Sequence, residues 1–284
     1  MGHRDRQYLC LTIGLYGIVI IKSAQYLTLG KFEMDHEGKL AIITGAGRNI
    51  GEAIAHRLAE DGASIAVVDL DQGRADKVVA DLLGQGVSAA PFVCDVSSPE
   101  QIMTTVEAIH EEFKRIDILV NNVAISDNKS ILDIELTTWQ KTLDITLTAP
   151  FYFAKCVAHK MVEQGIPGNI VNVSSTTGYF GRGRAIAYAA AKGGVVNLTK
   201  AMAIQLAEYN IRVNSVVPNK IGSPVGKDEF DPSRPIVNLR NRAGAPADLA
   251  NAVAFLVSDQ SDFIVGTDLF VDGGCSVIMP GGSG

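Results

Sequence analysis

Cysteine is scarce in this chain and shows no pairing pattern. Four residues, at 10, 94, 156 and 275 of 284, form no C-x-x-C and no dense cluster. That excludes a disulfide-stapled secreted scaffold and reads as free thiols in a reducing, cytoplasmic compartment. No basic run occurs, and a formal net charge of −6 with a pI near 5.4 excludes nucleic acid as the main partner. The 28 glycines follow no G-x-y period, so the chain is not collagenous. Histidines 3, 36, 56, 110 and 159 lack metal-ligand spacing, and no metal is expected. His56, His110 and His159 read as surface residues of helices. Internal repeats, low-complexity tracts and Pro/Ser-rich linkers are absent as well. What remains, 47% hydrophobic and 20% charged, excludes disorder and suffices for a sizeable core.

Residues 8–21 (YLCLTIGLYGIVII) carry no charge and follow Arg4 and Arg6, the outline of a secretory signal. No small-x-small cleavage site follows Lys22, and the run falls short of the roughly 20 residues that a spanning helix needs. Three readings stand: a dispensable extension ahead of a start at Met34, an extra packing element, or a targeting segment. The first is preferred, and membrane association is not expected. The chain divides into an extension over 1–33, one domain over 34–280 and a flexible tail over 281–284.

From Met34 onward, short β-branched runs alternate with helical patterns. Strands are expected at 40–44, 64–69, 89–94, 116–121, 169–174, 211–217 and 266–272, and helices at 52–61, 74–84, 99–113 and 187–209. Continuous apolar strands interleaved with helices mean a parallel sheet covered on both faces. The expected fold is a single doubly wound α/β domain.

Between the first strand and the first helix lies Thr44-Gly45-Ala46-Gly47-Arg48-Asn49-Ile50-Gly51. Glycines there allow a tight turn and let the backbone approach a pyrophosphate at the helix N-terminus. Asp69 ends the second strand, where a carboxylate accepts hydrogen bonds from an adenosine ribose. Asp95, in Cys94-Asp95-Val96, ends the third and reaches the adenine edge. Each aspartate alone reads as a strand-end turn residue; with the glycine turn they point to a bound dinucleotide. A 2′-phosphate would be repelled by Asp69, so NAD is favoured over NADP. Arg48 points the other way, since a guanidinium can receive that phosphate.

Tyr188 and Lys192 stand four residues apart, on one face of a helix. An ammonium near a phenol stabilises the phenolate and lowers its pKa, so that the tyrosine can exchange a proton with a carbinol oxygen. Ser175 follows a strand and lies 13 residues before Tyr188, placed to hold the same oxygen.

With these residues in view, 34–280 resembles the classical short-chain dehydrogenase/reductase family. The likeness rests on Thr44–Gly51, Asp69, Asp95, Asn121-Asn122, Ser175, Tyr188, Lys192, Arg212-Val213-Asn214, Pro218 and Asp272-Gly273-Gly274. It implies a Rossmann fold of about seven strands, usually tetrameric and sometimes dimeric, that moves hydride between nicotinamide and a carbonyl or secondary-alcohol carbon. By that likeness Tyr188 is the acid/base, Lys192 binds the nicotinamide ribose, and Ser175 orients the substrate oxygen. The implied cofactor contacts are Gly45, Arg48, Asn49, Ile50, Gly51, Asp69, Leu70, Asp95, Val96, Asn122, Val123, Ala124, Tyr188, Lys192, Pro218, Ile221 and Ser223, the last two on the carboxamide.

Four departures stand out. Asn49 replaces the middle glycine of the turn, Val123-Ala124 replaces an Ala-Gly pair, and Asn219 replaces the glycine after Pro218. Thr146 occupies the position of the family's fourth catalytic residue, an asparagine that supports a proton-relay water. Residues 221–243 are expected to cover the substrate, and their small, polar composition favours a small or polar one. Arg182 and Arg184 lie between Ser175 and Tyr188; they read first as solvent or subunit contacts and second as anion binders. The preferred function is an NAD(H)-dependent alcohol dehydrogenase or ketone reductase. The alternatives are an NADPH-dependent 3-oxoacyl-thioester reductase and a cofactor-binding regulatory protein with vestigial activity.

Overall fold

The computed structural model describes residues 19–22, 25–28, 36–227, 229, 231, 233 and 235–278. The chain divides into two compact units, Met1–Met34 and Asp35–Gly284. In the first, β1 (Val19–Lys22) and β2 (Gln25–Thr28) pair antiparallel, with Val19 opposite Thr28. Most of the apolar run 8–21, the expected start at Met34 and the tail 281–284 lie outside the described residues. No helix among the described residues is long and apolar enough to cross a membrane.

The second unit begins with β3 (Leu40–Thr44), α1 (Asn49–Glu60), β4 (Ser64–Asp69), α2 (Gln72–Gly84) and β5 (Ala89–Val93). It continues with α3 (Pro99–Phe113), β6 (Ile118–Asn121), α4 (Leu136–Leu143), a π-helical turn (Asp144–Thr148) and α5 (Ala149–Gln164). Then follow β7 (Gly168–Val173), α6 (Ile186–Leu206), β8 (Ile211–Pro218), α7 (Pro246–Val257) and β9 (Asp268–Val271). Strands β3 to β9 form one parallel sheet in the order β5-β4-β3-β6-β7-β8-β9. This is the doubly wound, seven-stranded α/β domain that the alternation of strand and helix predicts.

Strand β3 is buried along its whole length because both sheet faces are covered. Leu40 and Ile42 project into a cluster with Ile102, Val106 and Ile109 of α3, Phe153 and Met161 of α5, and Met202 of α6. On α7, Leu249, Val253, Leu256 and Val257 are all buried. That helix lacks the amphipathic signature of an exposed one, so periodicity does not reveal it.

The chain winds outward from β3 through β4 to β5, then returns to place β6 on the other side of β3. The topological switch point therefore lies between β3 and β6, and ligands of such sheets bind beyond the carboxyl ends of the strands there. Thr44, Asp69, Asn121 and Val173 all sit at those ends.

Candidate active site

The turn after β3 is built by close approach. A Cβ at Gly51 would run into the Gly45 carbonyl, and one at Gly47 would lie 2.8 Å from Asp69 Oδ2. Glycine at 47 thus lets the turn fold onto the end of β4, where the Gly47 N–H donates to Asp69 Oδ2 at 2.9 Å. The Asp71 N–H donates to the other carboxylate oxygen at 3.1 Å. Asp69 is buried and its carboxylate held in place on both sides.

Asn49 stands in the left-handed region at φ +53°, which asparagine tolerates, so the turn keeps its path without the glycine. Its amide also reaches across the cavity, donating from Nδ2 to Ser223 Oγ at 2.7 Å. The Ser223 hydroxyl in turn donates to the Lys227 carbonyl at 2.9 Å. The glycine turn and the segment after Ile221 are therefore tied together. At the end of β6, Asn122 Nδ2 donates to the carbonyls of Thr44 (3.0 Å) and Gly45 (3.2 Å), holding the neighbouring strand end against the turn. Asn219 makes a similar tie, from Nδ2 to Thr176 Oγ1 at 3.0 Å and Cys275 Sγ at 3.4 Å.

Helix α6 carries Tyr188 and Lys192 and starts under strain. Its N-cap, Ala185, has φ +67° and no side chain able to cap. The loop after β6 supplies what is missing. Lys129 O accepts the Ala185 N–H at 2.8 Å, and Asp127 Oδ1 accepts the Tyr188 N–H at 3.1 Å. Asp127 is thus a cap provided from 61 residues away, on the very residue expected to move the proton. Sequence reasoning misses it, because capping signals are sought next to a helix in the chain.

Tyr188 is 5% exposed and Lys192 2%. The Lys192 ammonium lies 5.8 Å from the Tyr188 ring centre and donates to the Val173 carbonyl at 2.5 Å. Burial pushes Lys192 down from 10.5 to about 7. Burial likewise raises the Tyr188 phenol above its ordinary value, while a hydrogen bond with Ser175 and the nearby Arg182 charge pull it back. Burial is the largest influence, so the phenol stands above its ordinary value and not below it as an adjacent ammonium would predict.

These groups line one cavity of about 1140 Å³. Its walls include Gly45, Arg48, Asn49, Ile50, Gly51, Asp69, Leu70, Asp95, Val96, Asn122, Val123 and Ala124, then Ser175, Tyr188, Lys192, Pro218, Ile221 and Ser223. Single small-molecule sites occupy roughly 300–1,000 Å³, so there is room for an extended dinucleotide and a small second ligand. The glycine cradle, the fixed Asp69 carboxylate and the paired Tyr188 and Lys192 fit such a cofactor.

Thr146 is the one candidate residue that does not line this cavity. It is fully buried in the π-helical turn, and its hydroxyl both accepts from the Ile125 N–H and donates to the Ile125 carbonyl, each at 3.2 Å. Its geometry is that of a brace beneath the loop after β6, not of a group facing Lys192. Arg182, Arg74, Lys220 and Lys227 also line the cavity, whereas Arg184 does not. Of the covering segment, residues 228, 230, 232 and 234 lie outside the described residues. Elsewhere, Glu52, His56 and Asp81 bring three potential ligand atoms within 4.8 Å, though Lys77 already pairs with Glu52 at 3.5 Å.

Comparison with known proteins bears on the family and the fold. Residues 45–276 match the family model described as enoyl-(acyl carrier protein) reductase. A 3-oxoacyl-[acyl-carrier-protein] reductase of Thermotoga maritima is 34% identical over 241 residues, 84% of this chain and 98% of the relative. A short-chain type dehydrogenase/reductase from Mycobacterium marinum superposes with a TM-score of 0.81 at 34% identity, over 87% of this chain and 98% of that one. NAD+-bound xylitol dehydrogenase superposes with a TM-score of 0.77 at 35% identity, over 84% and 99%.

Proposed function

The chain belongs to the classical short-chain dehydrogenase/reductase family, and from that premise we propose that it is an NAD(H)-dependent oxidoreductase acting on a secondary alcohol or the matching ketone. The observation that carries the reading is Tyr188, buried beside Ser175 and Lys192 in a cavity that also receives Asp69. When bound, the nicotinamide ring accepts or returns the hydride. The chain's own residues do the rest. The Ser175 hydroxyl holds the substrate oxygen, and the Tyr188 phenol exchanges the carbinol proton with it. Lys192, its Nζ 5.8 Å from the Tyr188 ring centre, would hold the cofactor's ribose and would supply positive charge to the phenol whenever it is protonated. Tyr188, Ser175 and Lys192 are themselves buried, and a low-dielectric setting strengthens such interactions. No step is assigned to Thr146.

The preference for NAD rests on Asp69. Two backbone N–H groups fix its carboxylate at the end of β4, and a 2′-phosphate brought beside it would be repelled by like charge. One relative, the xylitol dehydrogenase, holds NAD+ in its structure. A second reading, an NADPH-dependent 3-oxoacyl-thioester reductase, is favoured by Arg48 and Arg74. Both line the cavity near Asp69, and Arg48 feels the charges of Arg74 and Asp69. The reading extends to a self-associating cytoplasmic enzyme, for which the exposed Ile131, Leu132 and Leu136 offer apolar surface.

Tyr188→Phe tests the assignment. Turnover of a secondary-alcohol panel with NAD+ should fall by about 10²–10⁴-fold, the usual worth of a general acid/base, while NADH binding by fluorescence titration stays within about twofold. A Tyr188→Phe enzyme that remains active would exclude Tyr188 as the acid/base. Tighter binding of NADPH than of NADH would favour the second reading.

A further inference from the structure

The charges lining the cavity are unevenly distributed. Its two carboxylates, Asp69 and Asp95, follow β4 and β5 at the adenosine end. Arg48 and Arg74 line the cavity as well, and the remaining charged lining residues among those described, Arg182, Lys192, Lys220 and Lys227, are all basic. Arg182 is close enough for its charge to act on the Tyr188 phenol. Among the described residues no carboxylate pairs with it. It sits between Gly181 and Gly183 on the exposed stretch 181–184 ahead of α6. Phe180, Val225 and Ile278 add apolar wall beside it.

Arg182 is exposed and lines the cavity that holds Tyr188, where a guanidinium is able to meet an anionic group. Its planar fork matches a carboxylate with two parallel hydrogen bonds, and lysine cannot copy that geometry. The apolar side chains that share the cavity with it suit a short carbon spacer. We propose that Arg182 binds a substrate carboxylate, so that the substrate is a small hydroxy acid, or its keto acid, whose secondary hydroxyl meets Ser175 and Tyr188. This rests on the oxidoreductase reading for the reacting end and on Arg182 alone for the anionic end. Lys220 and Lys227, which also line the cavity, add positive charge to its wall, and such charge raises the local concentration of anions. A neutral alcohol of the same size gains nothing from this end of the cavity.

The experiment uses the full-length enzyme and R182Q, with R182K as the conservative variant. Turnover with NAD+ compares 3-hydroxybutanoate and 4-hydroxypentanoate with their methyl esters. The wild-type enzyme should prefer one of the acids over its ester by at least about tenfold in kcat/KM, the discrimination that a charged hydrogen-bonded contact supports. In R182Q that ratio should collapse toward one, and in R182K it should recover in part. In parallel, thermal-shift titration of the NADH-loaded enzyme compares butanoate with butanamide. Butanoate should stabilise the wild-type enzyme more than butanamide and should lose that advantage in R182Q. Equal handling of acid and ester, equal binding of butanoate and butanamide, or an acid preference that survives in R182Q would each overturn the proposal. If no alcohol is turned over while butanoate still binds through Arg182, the oxidoreductase reading fails and the anion site stands.

Discussion

Lys192 places a charge where the fold least tolerates one, and Lys192→Met measures the cost. The side chain is 2% exposed and its pKa falls from 10.5 to about 7. In the unfolded chain the ammonium stays charged up to its ordinary value. A tenfold change in proton affinity corresponds to about 1.4 kcal/mol, so keeping the proton in the folded state costs about 5 kcal/mol at pH values below 7. Because the folded-state pKa is depressed, this stability is present above pH 10.5 and is lost as pH falls toward 7. Methionine fills similar space without the charge. It forfeits the 2.5 Å hydrogen bond and leaves the Val173 carbonyl unpaired, which gives back about 1–3 kcal/mol. The net expectation near pH 7 is an apo-protein more stable by about 2–4 kcal/mol, a rise in Tm of roughly 5–15 °C for a domain of this size. The same variant should lose turnover, the trade expected at a site held in a costly state. Calorimetry of wild-type and Lys192→Met protein at pH 7 and pH 9 checks the reasoning, since the gap should narrow at the higher pH. A variant destabilised at pH 7, or a gap that widens with pH, would refute it.

Two further predictions concern parts of the fold away from the reacting atoms. Asp127→Ala removes the remote cap on α6 and should cost about 1 kcal/mol in denaturant unfolding, with kcat falling more than KM rises, because Tyr188 loses the contact that seats its backbone. Asp127→Asn, which can still accept the Tyr188 N–H, should restore most of kcat; equal loss in both variants would assign Asp127 a role through its charge instead. His36 is buried with neither ring nitrogen in a hydrogen bond of good geometry, and its pKa is lowered by burial first and the Lys39 charge second. Its neutral form is the one the fold accepts, so its share of stability is present above about pH 6.5 and lost as pH falls further. His36→Leu should therefore flatten the acid limb of the Tm profile, and an unchanged limb would point to other groups.

Local grammar carries far in this chain. The buried strands, the glycine turn, Asp69 at the end of β4 and the four-residue spacing of Tyr188 and Lys192 are all short-range patterns, legible because strand burial and helical periodicity act over a few residues. Residues 136–164 and 246–257 do not declare themselves as helices. The π-helical turn interrupts the first stretch, and α7 is buried on too many sides to show a polar face.

Thr146 illustrates the limit most clearly. Its position in the chain places it where the family has a relay asparagine, yet its hydroxyl is spent on the Ile125 backbone, a partner 21 residues distant. Asn49 is the opposite case. Its sequence position raises only the question of whether the turn survives, and the fold answers by joining it to Ser223, 174 residues on.

The sequence by itself determined the sheet, the reaction class and the residues that meet at the strand ends, because periodicity and motif spacing are properties of neighbours. Only the tertiary structure decided that Asp127 caps Tyr188, that burial is the largest influence on the phenol, and that Arg182 lines the same cavity as Tyr188. Those outcomes depend on burial and on contacts across the sheet, and a linear chain does not display which charges will share a low-dielectric cavity.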